Sequence, residues 1–156
     1  MADSNATYTQ IHIQLVFAVK FREGLIQSSW KDELYKYITG IIQNNNHKLL
    51  AINGMSDHIH ILIGLRPVQS VSSLVNDIKS NSSKFINEKR FLPVRFEWQK
   101  GYGAFSYGRS QIPLVIEYIL NQEKHHETKS FRAEYLNFLR KFEIDYDAAY
   151  IFNELI

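Results

Sequence analysis

Residues 8–20, YTQIHIQLVFAVK, alternate Ile11, Ile13, Leu15, Phe17 and Val19 with Gln10, His12 and Gln14, and a period of two is the signature of a strand with two unlike faces. Between 29 and about 45 the period changes. Leu34, Tyr37, Ile38, Ile41 and Ile42 recur at helical spacing, and Ser29 followed by Asp32 and Glu33 resembles a helix start. The run NNNH ends that helix, and KLLAINGM and HIHILIGL follow as two short strands turning at Ser56-Asp57, a hairpin. A second helix is expected over about 71–88, with Leu74, Ile78, Phe85 and Ile86 towards the core. After Pro93, VRFEWQKGYGAFSYG is aromatic and punctuated by glycine, which predicts a strand followed by a loop. A third helix starts at Ser110, with Pro113 in its first turn, where a missing N–H costs little, and with the stripe Ile112, Val115, Ile116 and Ile119. A fourth helix is expected over 130–142 and a short fifth in YDAAYIFNEL.

The order β-α-β-β-α-β followed by helices matches the split βαβ, or ferredoxin-like (RRM-like), α+β pattern: an antiparallel sheet with helices packed on it. With 156 residues and no Pro-, Gly- or Ser-rich linker, one domain over 1–156 is expected, with about 1–7 as a flexible N-terminus and about 143–156 as a C-terminal tail. Hydrophobic residues at 45% and charged residues at 22% are those of an ordinary globular protein. No apolar run nears the roughly 20 residues that cross a bilayer. The opening MADSNATYTQ has neither a basic nor an apolar targeting region and the chain has no cysteine, so thiolate metal sites are excluded and a cytoplasmic location is expected. A net charge of +2 does not by itself announce a nucleic-acid partner. Its distribution is more informative. Lys79, Lys84, Lys89, Arg90, Arg95, Lys100 and Arg109 stand against Glu88 and Glu97 in one segment, which any polyanion would prefer.

The third strand carries the unusual chemistry. Successive strand side chains point to opposite faces, so His58, His60 and Leu62 share one face while Ile59, Ile61, Ile63 and Leu65 share the other. Same-face neighbours lie about 7 Å apart at their α-carbons, which lets two imidazoles converge on one ion at about 2 Å from each nitrogen. Alone, the pair is also compatible with polar residues on a solvent-facing sheet surface. If it faces a site and not the core, replacing both imidazoles should leave the fold intact. A third ligand would have to come from elsewhere. On the third helix Tyr118 and Gln122 are one turn apart on one flank of the apolar stripe, displaying a phenol and an amide together. The bland alternative is a boundary aromatic beside a solvated amide. His125 and His126, three and four residues beyond Gln122, are rival ligands.

Taken in this order and spacing, the opening strand ending in VFAVKFR, the stretch DHIHILIGL, the GYGAFSYG loop and the helix containing IEYILNQEKHH resemble the single-tyrosine HUH transposases of bacterial and archaeal insertion sequences, the TnpA-like family. The resemblance covers nearly the whole chain. It implies that His58 and His60 are metal ligands, that Gln122 is the third ligand, and that Tyr118 on a C-terminal catalytic helix is the nucleophile. It also implies Mg²⁺ or Mn²⁺ as the ion, a homodimer with shared active sites, and single-stranded DNA with hairpin ends as the partner. The implied reaction nicks and rejoins DNA through a 5′-phosphotyrosine, which keeps the bond energy for a later joining step. A phenol with its usual pKa near 10 is a poor nucleophile, and a divalent ion offsetting charge on the scissile phosphate suits that weakness.

For nucleic-acid binding the sequence offers Lys84, Arg95, Lys100 and Arg109, interleaved with Phe96, Trp98, Tyr102, Phe105 and Tyr107, of which two or three at most would be left for stacking on bases. Ser80, Asn81, Ser82 and Ser83 offer phosphate donors on the second helix. Three rivals stand beside the transposase. Histidine-triad nucleotide hydrolases need a third alternating histidine, and position 62 is Leu. An HUH replication initiator or relaxase-like nuclease shares the histidine strand but is usually longer. A non-catalytic ferredoxin-like nucleic-acid-binding module would leave Tyr118 and Gln122 unexplained.

Overall fold

In the computed structural model, which describes residues 6–127 and 129–146, β1 (His12–Ala18) is an inner strand of a four-stranded sheet. It is flanked by β3 (His58–Gly64) and β4 (Gly103–Tyr107), with β2 (Lys48–Met55) outside β3, and every neighbouring pair is antiparallel. The order β2-β3-β1-β4 is the ferredoxin-like arrangement that the sequence pattern predicts. The two-residue turn Ser56-Asp57 joins β2 to β3 as expected. A Cβ on Gly54 in β2 would lie 2.2 Å from the His58 carbonyl oxygen, so only glycine permits this approach to the histidine strand.

One face of the sheet packs on α1 (Lys31–Asn44) and α2 (Val71–Lys89). Leu15, Phe17, Ile59, Ile61 and Ile63 meet Leu34, Ile38, Leu74 and Ile78 there, all of them fully buried. Each such side chain is worth about 1.5–3 kcal/mol relative to exposure, and this layer anchors β1 and β3. Ser70 caps α2 by accepting from the Ser73 N–H. In α1 the inward aromatic is Tyr35 and not Tyr37, which is 37% exposed and stacks on Phe85.

The opposite face, which the alternation of β1 and β3 marks as polar, is not open to solvent. It is covered by α3 (Ile112–Leu120), the single turn α4 (Gln122–His125) and α5 (Phe131–Lys141). Val115 and Ile119 pack on Ala51 and Leu62, while Phe131, Tyr135 and Phe138 pack with Val16, Ala18 and Phe105. Gln14, His58 and His60 are therefore fully buried. The expectation that this pair could change without consequence for the fold is corrected: the pair lies between two packed layers.

Two boundaries differ from the sequence pattern. The expected strand after Pro93 is irregular and touches the sheet through one bridge, Val19 to Trp98, and the expected loop is the strand β4. Side chains hold the irregular stretch in place of a ladder. Asn87 bonds both the N–H and the carbonyl of Phe96, and Lys79 Nζ donates to the carbonyls of Gln99 and Gly101. The expected third helix breaks at Asn121 into α3 and α4, and it begins at Ile112 after a turn in which the Gly108 N–H donates to Gln111 Oε1. The fourth helix, expected over 130–142, runs over Phe131–Lys141 with Ser130 as its cap. YDAAYIFNEL beyond Tyr146, most of the 143–156 tail and the first five residues lie outside the described residues.

Candidate metal centre and its tyrosine

Strand β3 delivers His58 and His60 to one face, and each imidazole is held from behind. His58 donates Nδ1–H to Asp57 Oδ1 at 2.8 Å, and Asp57 Oδ2 accepts from Arg22 Nε at 2.9 Å. His60 Nδ1 lies 2.9 Å from the Gln14 amide nitrogen, and Gln14 Oε1 accepts from the Tyr107 hydroxyl at 2.8 Å. Such backing fixes ring orientation and is what metal-binding histidines require. Phe131 stacks on His58 at 3.9 Å between ring centroids, with the Arg22 guanidinium 5.0 Å from the far ring.

Arg22 reaches this position through a turn in which both Phe21 and Arg22 have positive φ, 59° and 55°. The turn leaves Phe21 exposed and Arg22 2% exposed, the reverse of what their side chains prefer. Burial alone would push the Asp57 carboxyl up, but the hydrogen bonds and charges of His58 and Arg22 outweigh it and hold the group below the usual carboxylate range. Asp57→Asn keeps the shape and removes the charge opposite the buried guanidinium, so unfolding in urea should show a loss of about 3 kcal/mol. The wild-type contribution is present above about pH 4 and lost as pH falls further, so the variant should lose that part of the acid dependence.

The opposite wall comes from the helices. Gln122, fully buried at the start of α4, places Oε1 3.2 Å from His58 Nε2 and 3.0 Å from His126 Nε2. Glu134 of α5, 2% exposed, places Oε1 2.9 Å from His60 Nε2 and accepts from the Tyr118 hydroxyl through Oε2. The ligand atoms of His58, His60, His126 and Glu134 lie within 4.8 Å of one another. Burial pushes the His60 imidazole below its usual range, with Glu134 acting in the other direction.

This donor set fits a cation for a reason visible in the hydrogen bonds. A carboxylate and a carbonyl only accept, so His58 and His126 donate Nδ1–H to Asp57 and to the Lys129 carbonyl, and Nε2 is the atom each ring turns into the cluster. Both Nε2 atoms face Gln122 Oε1 and Glu134 Oε1. Imidazole nitrogens, an amide oxygen and a carboxylate oxygen converging within one buried space form a donor set that suits a divalent ion.

The structure thus brings together His58, His60, Gln122 and Tyr118, whose ring lies 6.0 Å from that of His60 in the same chain, and His126 joins them. The side chain of His125 lies outside what the structure describes. Lys84, Arg95, Lys100 and Arg109 are exposed and none belongs to the cluster. Arg95 and Lys100 line a separate groove beside α2 with Lys79 and Tyr102, and Lys84 pairs with Glu88 at 4.0 Å. Among the aromatics offered for stacking, Phe96, Trp98 and Phe105 are core. The cleft next to Tyr118, about 590 Å³, has Lys129, Arg140 and Lys141 among its lining residues, cations that the sequence reading passed over.

It also passed over Glu134, Asp57, Arg22 and Gln14. One signal existed. On α5 the apolar positions Phe131, Tyr135 and Phe138 repeat at helical spacing, and Glu134 stands on that stripe where an acid does not belong. Asp57 read only as a turn residue.

Fold and site together define a ferredoxin-like α+β protein with a buried histidine–carboxylate centre and a tyrosine at its margin. Comparison with known proteins gives the class a family. The family described as Transposase IS200 like matches residues 7–122, and this chain belongs to it. The transposases for insertion sequence element IS200 of Salmonella typhimurium and Salmonella typhi are each 27% identical over 124 residues, covering 74% of this chain and 81% of theirs. The ISDra2 transposase TnpA of Deinococcus radiodurans is 25% identical over 75 residues, 48% of this chain and 54% of its own. Among solved structures, a putative transposase from Deinococcus radiodurans superposes with a TM-score of 0.62 at 21% identity, covering 78% of this chain and 98% of the other. A REP-associated tyrosine transposase bound to a REP hairpin gives 0.59 at 15% identity, covering 81% and 74%. These two likenesses bear out the fold. No helix among the described residues is long and apolar enough to cross a membrane.

Proposed function

We propose that this chain nicks and rejoins single-stranded DNA at the ends of an insertion sequence, with Tyr118 as nucleophile and His58, His60 and Gln122 as ligands of Mg²⁺ or Mn²⁺. The observation that carries the reading is the meeting of three separate segments, β3, the α3–α4 helix pair and α5, at one buried point with the Tyr118 hydroxyl directed into it. Attack by Tyr118 Oη on a phosphodiester phosphorus forms the 5′-phosphotyrosine bond, breaks the bond to the 3′ oxygen, and exchanges the phenolic hydrogen for that of the freed 3′-hydroxyl. A bound divalent ion would supply positive charge against the phosphate and fix its orientation.

The chain's own groups prepare the rest. Asp57 sets the His58 tautomer, and the Gln14 amide can turn end for end to accept from His60 Nδ1, because the Tyr107 hydroxyl opposite it can donate or accept. Arg95, Lys100, Lys84 and Arg109 are proposed phosphate contacts, the first two along the groove beside α2. A relative of the same fold is bound to a DNA hairpin, which supports hairpin-ended single strands as the partner here. We place the reaction in the cytoplasm.

The test is a protein–DNA adduct that survives denaturation, formed on single strands from the element's own ends with Mg²⁺ or Mn²⁺. A homodimer is also proposed from the family. Leu114 and Leu120, 71% and 58% exposed on α3, offer an apolar surface for it. Sedimentation at micromolar concentration should give a dimer, and a strict monomer with and without hairpin DNA would rule out shared active sites.

A further inference from the structure

We infer that Glu134 is an anionic ligand of the ion and at the same time the group that positions Tyr118, so that one carboxylate joins the metal centre to the nucleophile. The inference rests on the ion site proposed above and adds to it a residue from a helix beyond the 7–122 stretch that the family matches.

The argument begins with where the carboxylate is. A charged group 2% exposed is costly unless its oxygens are matched, and the helix that carries it is pinned by Phe131, Tyr135, Phe138 and Leu139 in the core. Glu134 therefore cannot swing out to solvent without unpacking α5. Its two oxygens have different tasks. Oε2 accepts from the Tyr118 hydroxyl and lies 3.4 Å from the Gln122 amide nitrogen, so donors match it. Oε1 faces three imidazole nitrogens, His60 at 2.9 Å, His126 at 3.4 Å and His58 at 3.7 Å.

Of those three rings, His58 and His126 bond Asp57 and the Lys129 carbonyl through Nδ1, which turns Nε2 of each towards Oε1. Oε1 thus stands in a cluster of four ligand atoms within 4.8 Å of one another and not in a single ion pair. Three imidazoles and an amide alone are neutral donors, on which a hard ion such as Mg²⁺ or Mn²⁺ is held weakly, and a carboxylate oxygen is the ligand such ions prefer. Because Oε2 of the same carboxylate holds the phenol, placing Oε1 on the ion also sets the distance from ion to nucleophile.

The rival is that Glu134 is a counter-charge that fills the centre and competes with the ion. The two predict opposite signs. Metal-free full-length protein is titrated with Mn²⁺ and followed by the electron paramagnetic resonance of the free ion and by calorimetry, for wild type, Glu134→Gln and Glu134→Asp. Glu134→Gln keeps the size and removes the charge, and at least about a tenfold loss of Mn²⁺ affinity is expected, with one site retained. Glu134→Asp keeps the charge but withdraws the oxygen, and its affinity should fall between the two. Affinity unchanged or tighter in Glu134→Gln, with wild type binding one Mn²⁺, would overturn the inference and leave the proposed function standing. Absence of Mn²⁺ binding in wild type would remove the ion site itself. If Glu134→Gln does not fold, Glu134→Asp decides: wild-type affinity there overturns the inference, and a loss supports it.

Discussion

Tyr118→Phe is expected to abolish the covalent adduct with single-stranded DNA while leaving the protein folded. The chain has 9 tyrosines, and the structure separates them. Tyr107 and Tyr135 are pushed up to about 12 by burial, and Tyr107 spends its hydroxyl on Gln14. Tyr118 is half-buried, opens on a cleft of about 590 Å³, and bonds a carboxylate that faces His60. The substitution keeps the ring against Phe138 and His60. It removes one hydrogen bond to a buried carboxylate, so a stability loss of about 1–3 kcal/mol is expected. Gel electrophoresis under denaturing conditions reads the adduct and urea unfolding reads the stability. An adduct that persists in Tyr118→Phe and disappears in Tyr107→Phe would move the nucleophile to β4.

The second large effect is expected from His58→Ala/His60→Ala. Calorimetry should show Mn²⁺ binding lost, and the fold should suffer as well. Both imidazoles are fully buried, and truncating each of two large buried side chains costs about 2–5 kcal/mol, with departures from additivity for neighbours. The change also strips Asp57, Gln14 and Glu134 of partners inside the protein. Urea unfolding of the metal-free double variant should show a loss of at least about 4 kcal/mol. Wild-type ion affinity in the variant would end the metal assignment, and wild-type stability would contradict the packing of α5 over the sheet.

Much of the architecture follows from short-range pattern. A period of two places Ile59, Ile61 and Ile63 on one face and His58 and His60 on the other, because a strand has no freedom to do otherwise. The expected starts of α2 and α5, at about 71 and 130, fall within a residue of the observed ones, where the Ser70 and Ser130 hydroxyls accept from an N–H three positions on. The same local reasoning fails between Pro93 and Tyr107. VRFEW has strand composition but finds its partners in Asn87 and Ser82, while the glycine-containing GAFSY pairs with β1. Composition reports what a segment can do, and the free edge of β1 decides which segment does it.

The sequence by itself determined the order of the first elements along the chain, the shared face of the two imidazoles and the nearness of Tyr118 to Gln122, because each depends on neighbours a few positions apart. The tertiary structure alone decided that the polar face is buried, that Arg22 stands behind Asp57, and that Glu134 enters the centre. His60 and Glu134 are 74 residues apart and Arg22 and Asp57 are 35 apart, and no local period encodes such meetings. They arise because the apolar stripe of α5 has one place to bury itself, against Val16, Ala18 and Phe105, and in packing there it carries its single misplaced carboxylate onto the histidines.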